Sequence, residues 1–155
     1  MAKTTVKKAF LLVGNKDWGK TDTLKQPPFT ISNSKKRLIS LIGFDFFLRK
    51  GSNRDKKVAY IAFVVKVVFN YLILAFATGK KYEPKKILTK LKSKGYKIYA
   101  FVLKYKYGNP NKIITDSEIA MLKQYATKVE VYSVIKAEAK ARAVAFNKFI
   151  KKNMP

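Results

Sequence analysis

Apolar residues recur along this chain in two rhythms. Five short runs rich in β-branched and aromatic residues, at 8–13, 37–43, 71–77, 96–103 and 129–135, predict strands. Most are apolar on both faces, as strands covered by helices on either side are. Between them the period lengthens to that of helices. Residues 83–94 open with Pro84 near the first helical position, set Ile87, Leu88 and Leu91 on one face, and stop at Gly95. Thr115 and Glu118 have capping-box spacing ahead of Ile119, Leu122 and Ala126. Residues 136–152 place Ala139, Ala143, Phe146 and Ile150 at helical intervals, with lysines opposite and at the C-terminal end. Residues 55–69 also read as a helix, with Val58, Ile61, Ala62, Val65 and Phe69 on one face. Phe63, Val64 and Val67 make its other face apolar too, which suits a deeply buried helix or an interface.

This alternation predicts an α/β fold: a three-layer sandwich around a mainly parallel, five-stranded sheet. Loops with turn chemistry at 26–28, 51–53 and 108–110 punctuate it. No repeat or long linker interrupts the pattern, so residues 1–155 are expected to form a single domain. The run 58–77 is nearly long enough to span a bilayer. Lys66 and Asn70 near its middle disfavour that, and a helix followed by a buried strand fits it equally, so no stable membrane insertion is expected. Residues 1–8 lack the apolar core of a secretory signal, and a cytoplasmic location is expected.

Composition narrows the chemistry. The absence of Cys and His removes disulfides, thiolate nucleophiles, His-centred triads and imidazole metal sites. Lysines, carboxylates, hydroxyls, backbone amides and an oxygen-held cation remain. The net charge is +25, and only Arg37, Arg49, Arg54 and Arg142 among the 34 cations are arginines. Residues 1–79 carry 15 cations and 4 acids, and residues 80–155 carry 19 and 5, so the charge is not a tail. A polyanion would relieve that self-repulsion, and lysine favours phosphate contact over bidentate base reading. A solvated, solubilising surface is the plainer account.

One short motif carries specific chemistry. Residues 14–21 read Gly14, Asn15, Lys16, Asp17, Trp18, Gly19, Lys20, Thr21, followed by Asp22. They match G-x-x-x-x-G-K-[ST], the phosphate-binding loop. The glycines permit close backbone approach, the intervening amides can form an anion nest at a helix start, and an apolar strand runs directly into Gly14. On these residues the chain resembles the P-loop nucleoside triphosphatases. The resemblance implies their fold, with the loop-bearing strand central in the sheet. It also implies ATP or GTP bound at residues 14–22, Lys20 on the β- and γ-phosphates, and the Thr21 hydroxyl on Mg²⁺.

The family's second motif, an acid closing an apolar strand, is not clean. The strand at 71–77 ends in Thr78 and Gly79, and the better local match is Asp45, which follows the run 37–43 and is the candidate second Mg²⁺ ligand; a solvated loop acid is the other reading. The guanine signature Asn-Lys-x-Asp is absent, so the base is left open. Arg49 is a candidate for stabilising transition-state charge, with Arg54 nearby, and both also read as surface arginines. Lys97, Tyr99, Lys104, Tyr105, Lys106 and Tyr107 alternate as a single-strand binder's cations and stacking rings would, and also as a strand with one packed and one solvated face.

The expected function is thus a P-loop nucleotide-binding protein, a Mg²⁺-dependent NTPase or phosphotransferase acting with nucleic acid independently of sequence. The alternative is a non-enzymatic, Lys-rich nucleic-acid-binding, packaging or structural protein, with the 58–69 helix available for homo-oligomer contacts.

Overall fold

The computed structural model describes residues 6–14, 20–29, 38–41, 43–54, 57–106, 109–134 and 138–154; at Thr21, Lys106 and 109–113 it describes the backbone alone. The chain runs β1 (Lys7–Val13), α1 (Lys20–Leu24), β2 (Leu38–Leu41), β3 (Phe44–Arg49), α2 (Lys57–Lys66), β4 (Tyr71–Phe76), a 3-10 turn (Lys80–Tyr82) and α3 (Pro84–Ser93). It continues through β5 (Tyr96–Leu103), β6 (Tyr105–Lys106), β7 (Asn109–Ile113), α4 (Asp116–Tyr125), β8 (Lys128–Tyr132) and α5 (Ala139–Lys152). The fold is α/β, as the alternation predicts.

The main sheet has six strands rather than five, in the order β2-β3-β4-β1-β5-β8. All pairs are parallel except β2–β3. The additional strand is β3. Gly43, at φ 80, occupies a turn that returns the chain antiparallel along β2, so the run beginning at Leu38 is half of a hairpin. A strand end and the start of a hairpin turn look alike in sequence, since glycine serves both. β6 and β7 pair as a separate two-stranded ribbon.

Side-chain alternation along β1 explains the three layers. Ala9, Leu11 and Val13 face one core with Tyr60 and Val64 of α2, Ile87, Leu88 and Leu91 of α3, and Leu122 of α4. Phe10 and Leu12 face the other with Leu24 of α1, Phe29, and Phe146, Phe149 and Ile150 of α5. Connections between parallel strands are right-handed, so the chain's leftward step from β1 to β3 puts α1 on one face, and the rightward steps that follow put α2, α3 and α4 on the other. The sense of winding therefore changes at β1, which lies centrally with β4 on one side and β5 on the other. In open α/β sheets, ligands bind beyond the carboxyl ends of strands at such a switch point.

The helix ends behave as their residues dictate. Thr115 Oγ1 accepts from the Glu118 amide at 3.2 Å and Glu118 Oε1 accepts from the Thr115 amide at 3.1 Å, a complete capping box. Pro84 opens α3. Gly95, at φ 91, follows it and turns the chain into β5. Among the described residues, no helix is long and apolar enough to cross a membrane.

Candidate functional site at the carboxyl edge of the sheet

β1 delivers Gly14 to the carboxyl edge beside β4, where the Gly14 amide donates to the Phe76 carbonyl at 3.1 Å. Asn15, Lys16, Asp17, Trp18 and Gly19 lie outside the described residues. Lys20 begins α1 and is buried; its Nζ donates to the Gly14 carbonyl at 2.7 Å. Gly14 and Lys20 of the motif are thus in contact, with the lysine ammonium turned to the carbonyl just past the strand end. Asp22 is exposed on α1, and the Thr21 side chain lies outside the description.

The neighbouring strand end is held by a residue that the sequence reading treats only as turn chemistry. Asn53, fully buried, donates from Nδ2 to the carbonyls of Ala77 (2.9 Å) and Tyr82 (3.0 Å) and accepts the Ala77 amide on Oδ1 at 2.7 Å. It ties the segment after β3 to the segment after β4. Thr78, next along and also buried, donates its hydroxyl to Glu118 Oε2. Glu118 closes the capping box with its other oxygen. No acid ends β4, and a carboxylate reaches that strand end from α4 instead. Beside it opens a cavity of about 560 Å³, lined by Thr78, Lys80, Glu83, Lys86, Ser117 and Glu118 among others. The only sequence signals for these two residues are an Asn in a Gly-Ser-Asn turn and a Glu at a capping position. Neither names its partner across the sheet.

Asp45 is elsewhere. Phe47 is level with Leu72, so Asp45 is level with Asn70; Val13 is level with Phe76, so Gly14 is level with Ala77. Seven residue steps at about 3.3 Å separate the two levels, roughly 23 Å along the strands. Asp45 sits exposed at the amino edge, opposite Ser40 of the hairpin, and cannot share a cation with Thr21. The expectation that it follows the second strand of the nucleotide site is corrected by the β2–β3 hairpin. Arg49 lies at the end of β3, with its guanidinium 5.3 Å from the ring centres of both Tyr60 and Phe63 of α2. The Tyr60 hydroxyl donates to the Ala75 carbonyl at 2.9 Å; burial pushes that phenol well above its ordinary pKa, and the Arg49 charge pulls the other way. Arg49 is thus packed on the α2 rings. Arg54 follows, its amide donating to Ser52 Oγ at 3.2 Å.

The basic–aromatic run is dispersed. Tyr99 is 7% exposed and stacked on Phe10 with centroids 5.1 Å apart, inside the α1/α5 core. Burial raises its phenol pKa. A ring so placed is not available to stack on a base. Lys97 is exposed near the amino end of β5, whereas Lys104 and Tyr105 lie past its carboxyl end, with Lys104 Nζ 5.5 Å from the Tyr105 ring centre. The Lys106 side chain and Tyr107 lie outside the described residues.

Among the described residues, no group of three or more acids gathers as a cation cage. The carboxyl edge presents the buried Lys20 against the Gly14 carbonyl, a clamped strand end, and a cavity whose lining mixes lysines with Glu83 and Glu118. Comparison of the chain with protein-family models, curated proteins and solved structures returns no match.

Proposed function

We propose that the chain binds a nucleoside triphosphate at the carboxyl end of β1 and acts as a P-loop NTPase or phosphotransferase in company with nucleic acid. The observation that carries this reading is the contact of Lys20 Nζ with Gly14 at the central strand where the winding of the sheet reverses. A motif match in isolation is weak. The same match at a switch point, entered by a buried strand and left by a helix, has the setting that phosphate binding requires.

In this reading Lys20 exchanges the Gly14 carbonyl for β- and γ-phosphate oxygens. The Thr21 hydroxyl would help to hold a Mg²⁺ brought with the nucleotide, which would supply charge neutralisation at the transferring group. Asp45 is not part of this site. Asn53 and the Thr78–Glu118 pair position the neighbouring strand end. The spread of lysines over both halves of the chain supports a nucleic-acid partner, met through phosphate.

The test is a titration of ATP and GTP, with and without Mg²⁺, on wild type and Lys20→Ala. A hydrogen bond to a charged group contributes about 1.5–3 kcal/mol. The variant is therefore expected to lose at least about tenfold in affinity, at 1.4 kcal/mol per decade. Wild type that binds neither triphosphate at millimolar concentration overturns the reading.

A further inference from the structure

The apolar run 58–77 divides in the structure. Its later part is β4, buried in the sheet; its earlier part is α2, whose outer side stays on the surface. Tyr60 and Val64 turn inward. Val58 is 79% exposed and Val65 48%, and beyond the helix Val68 is 78% and Phe69 38% exposed. Val58, Ala62 and Val65 follow the i, i+4, i+7 spacing of one helix face, and Ala62 is exposed as well. Phe69 stacks on Phe47 at 4.8 Å, which fixes the end of the stripe to the sheet. The β1–β4 register brings Val6, also exposed, level with Phe69. Scattered exposed valines would need no explanation, but Val58, Ala62 and Val65 share one helix face, and Val68 and Phe69 follow within three residues of the helix end.

Lysines frame the stripe: Lys57 and Lys66 on α2, and Lys85, Lys86 and Lys90 on α3. With Ile61, Val64 and Val65, the three α3 lysines line a shallow groove of about 470 Å³. Lys94 reaches over from the end of α3 to donate to the carbonyls of Val65 (2.8 Å) and Val67 (2.6 Å). Glu83 is the only acid between residues 56 and 115. The face is thus apolar and predominantly basic, with Asp45 exposed beside its amino-edge end.

These two properties choose the occupant. Protein interfaces concentrate Tyr, Trp and Arg and deplete Lys, the reverse of this frame. A second copy related by a twofold axis would set lysine frame against lysine frame. Nucleic acid would meet the lysines and gain nothing from the valines. An anionic bilayer takes both, with aliphatic side chains at the acyl boundary, ammonium groups at the headgroups and the lysine stems lying between.

We propose that the α2 face, the stripe from Val58 to Phe69 with its lysine frame, docks the protein peripherally on an anionic lipid surface. α2 covers the opposite face of the sheet from α1, so a docked molecule keeps α1 and Lys20 turned away from the lipid. The inference is independent of the nucleotide reading.

Vesicle sedimentation tests it, using phosphatidylcholine alone and phosphatidylcholine with about 30% phosphatidylserine at about 0.1 M salt. Wild type is expected to partition onto the anionic vesicles and not the neutral ones. Val58→Ser combined with Val68→Ser leaves the charge and the core intact, and is expected to lower that partition by about tenfold. In parallel, Val68→Trp should be quenched by lipid brominated in its acyl chains, relative to wild type, whereas Val144→Trp on α5, across the sheet, should not. Equal partition of wild type and the serine variant, or no quenching at position 68, would reduce the effect to charge alone and overturn the proposal. Absence of vesicle binding, with self-association of wild type that the serine variant loses, would instead make the stripe an interface between copies.

Discussion

Asn53→Ala isolates what the clamp at the end of β4 contributes. The side chain satisfies both backbone groups of Ala77, at 2.7 and 2.9 Å, and the Tyr82 carbonyl at 3.0 Å. Ala77 and Asn53 are fully buried, so truncation leaves a donor and an acceptor without partners in a place that water does not reach. Each such group costs about 1–3 kcal/mol. The Tyr82 carbonyl is only partly buried and can turn to solvent. The expected loss is therefore about 3 kcal/mol, or a fall of about 6–12 °C in Tm at roughly 2–4 °C per kcal/mol for a chain of this size. Urea melts followed by circular dichroism measure it, with an unchanged m-value showing that the denatured state has not moved. Hydrogen exchange locates it: the Ala77 amide should lose protection. Asn53→Asp keeps the acceptor for the Ala77 amide but turns a carboxylate toward two carbonyls. Burial and those carbonyls raise its folded pKa above the ordinary value of about 3.9. The variant should then be most stable below that ordinary value and lose stability as pH rises through the folded pKa. An alanine variant within about 0.5 kcal/mol of wild type, the range of surface substitutions, would refute the clamp.

Asp45→Asn should leave nucleotide affinity and its Mg²⁺ dependence unchanged, since register puts Asp45 roughly 23 Å from the level of Gly14; a selective loss of the Mg²⁺ effect would contradict the register. Burial pushes the Tyr96 phenol up to about 12, and its hydroxyl donates to the Phe69 carbonyl, so wild type should hold this stability below pH 10 and lose it as pH rises to 12. Tyr96→Phe should flatten the decline without abolishing it, because Tyr60 titrates in the same direction; denaturant melts at several alkaline pH values read the slope. On oligonucleotides of one length, log affinity should fall linearly with log salt, by roughly 0.9 per phosphate contact on duplex. Tyr99→Leu, which removes the ring but keeps an apolar side chain, should not change the single-strand affinity of the folded protein, because the ring is already packed on Phe10; a selective loss would mean that the ring leaves the core on binding.

What was legible in the sequence was local. The strand entering Gly14, the capping box at Thr115, Pro84 at the head of α3 and the alternation of elements all depend on residues within a turn or two of one another, and all appear where their spacing puts them. The site is assembled differently. Asn53 meets Ala77 across 24 positions because the sheet sets β3 beside β4, and Glu118 meets Thr78 across 40 because α4 is carried back over the sheet to the end of β4. Asp45 shows the consequence. As a residue closing an apolar run it satisfied a local rule, but the rule presumes that the run points the same way as β1. One glycine turn at position 43 reverses the chain between β2 and β3, and the reversal moves the acid from the loop-bearing edge of the sheet to the opposite one. Membership of a site at a carboxyl edge is a matter of level in the sheet, counted through register from β1. By that count the carboxylate that meets the strand beside the loop belongs to Glu118, carried there on a helix that the sequence presents only as well capped.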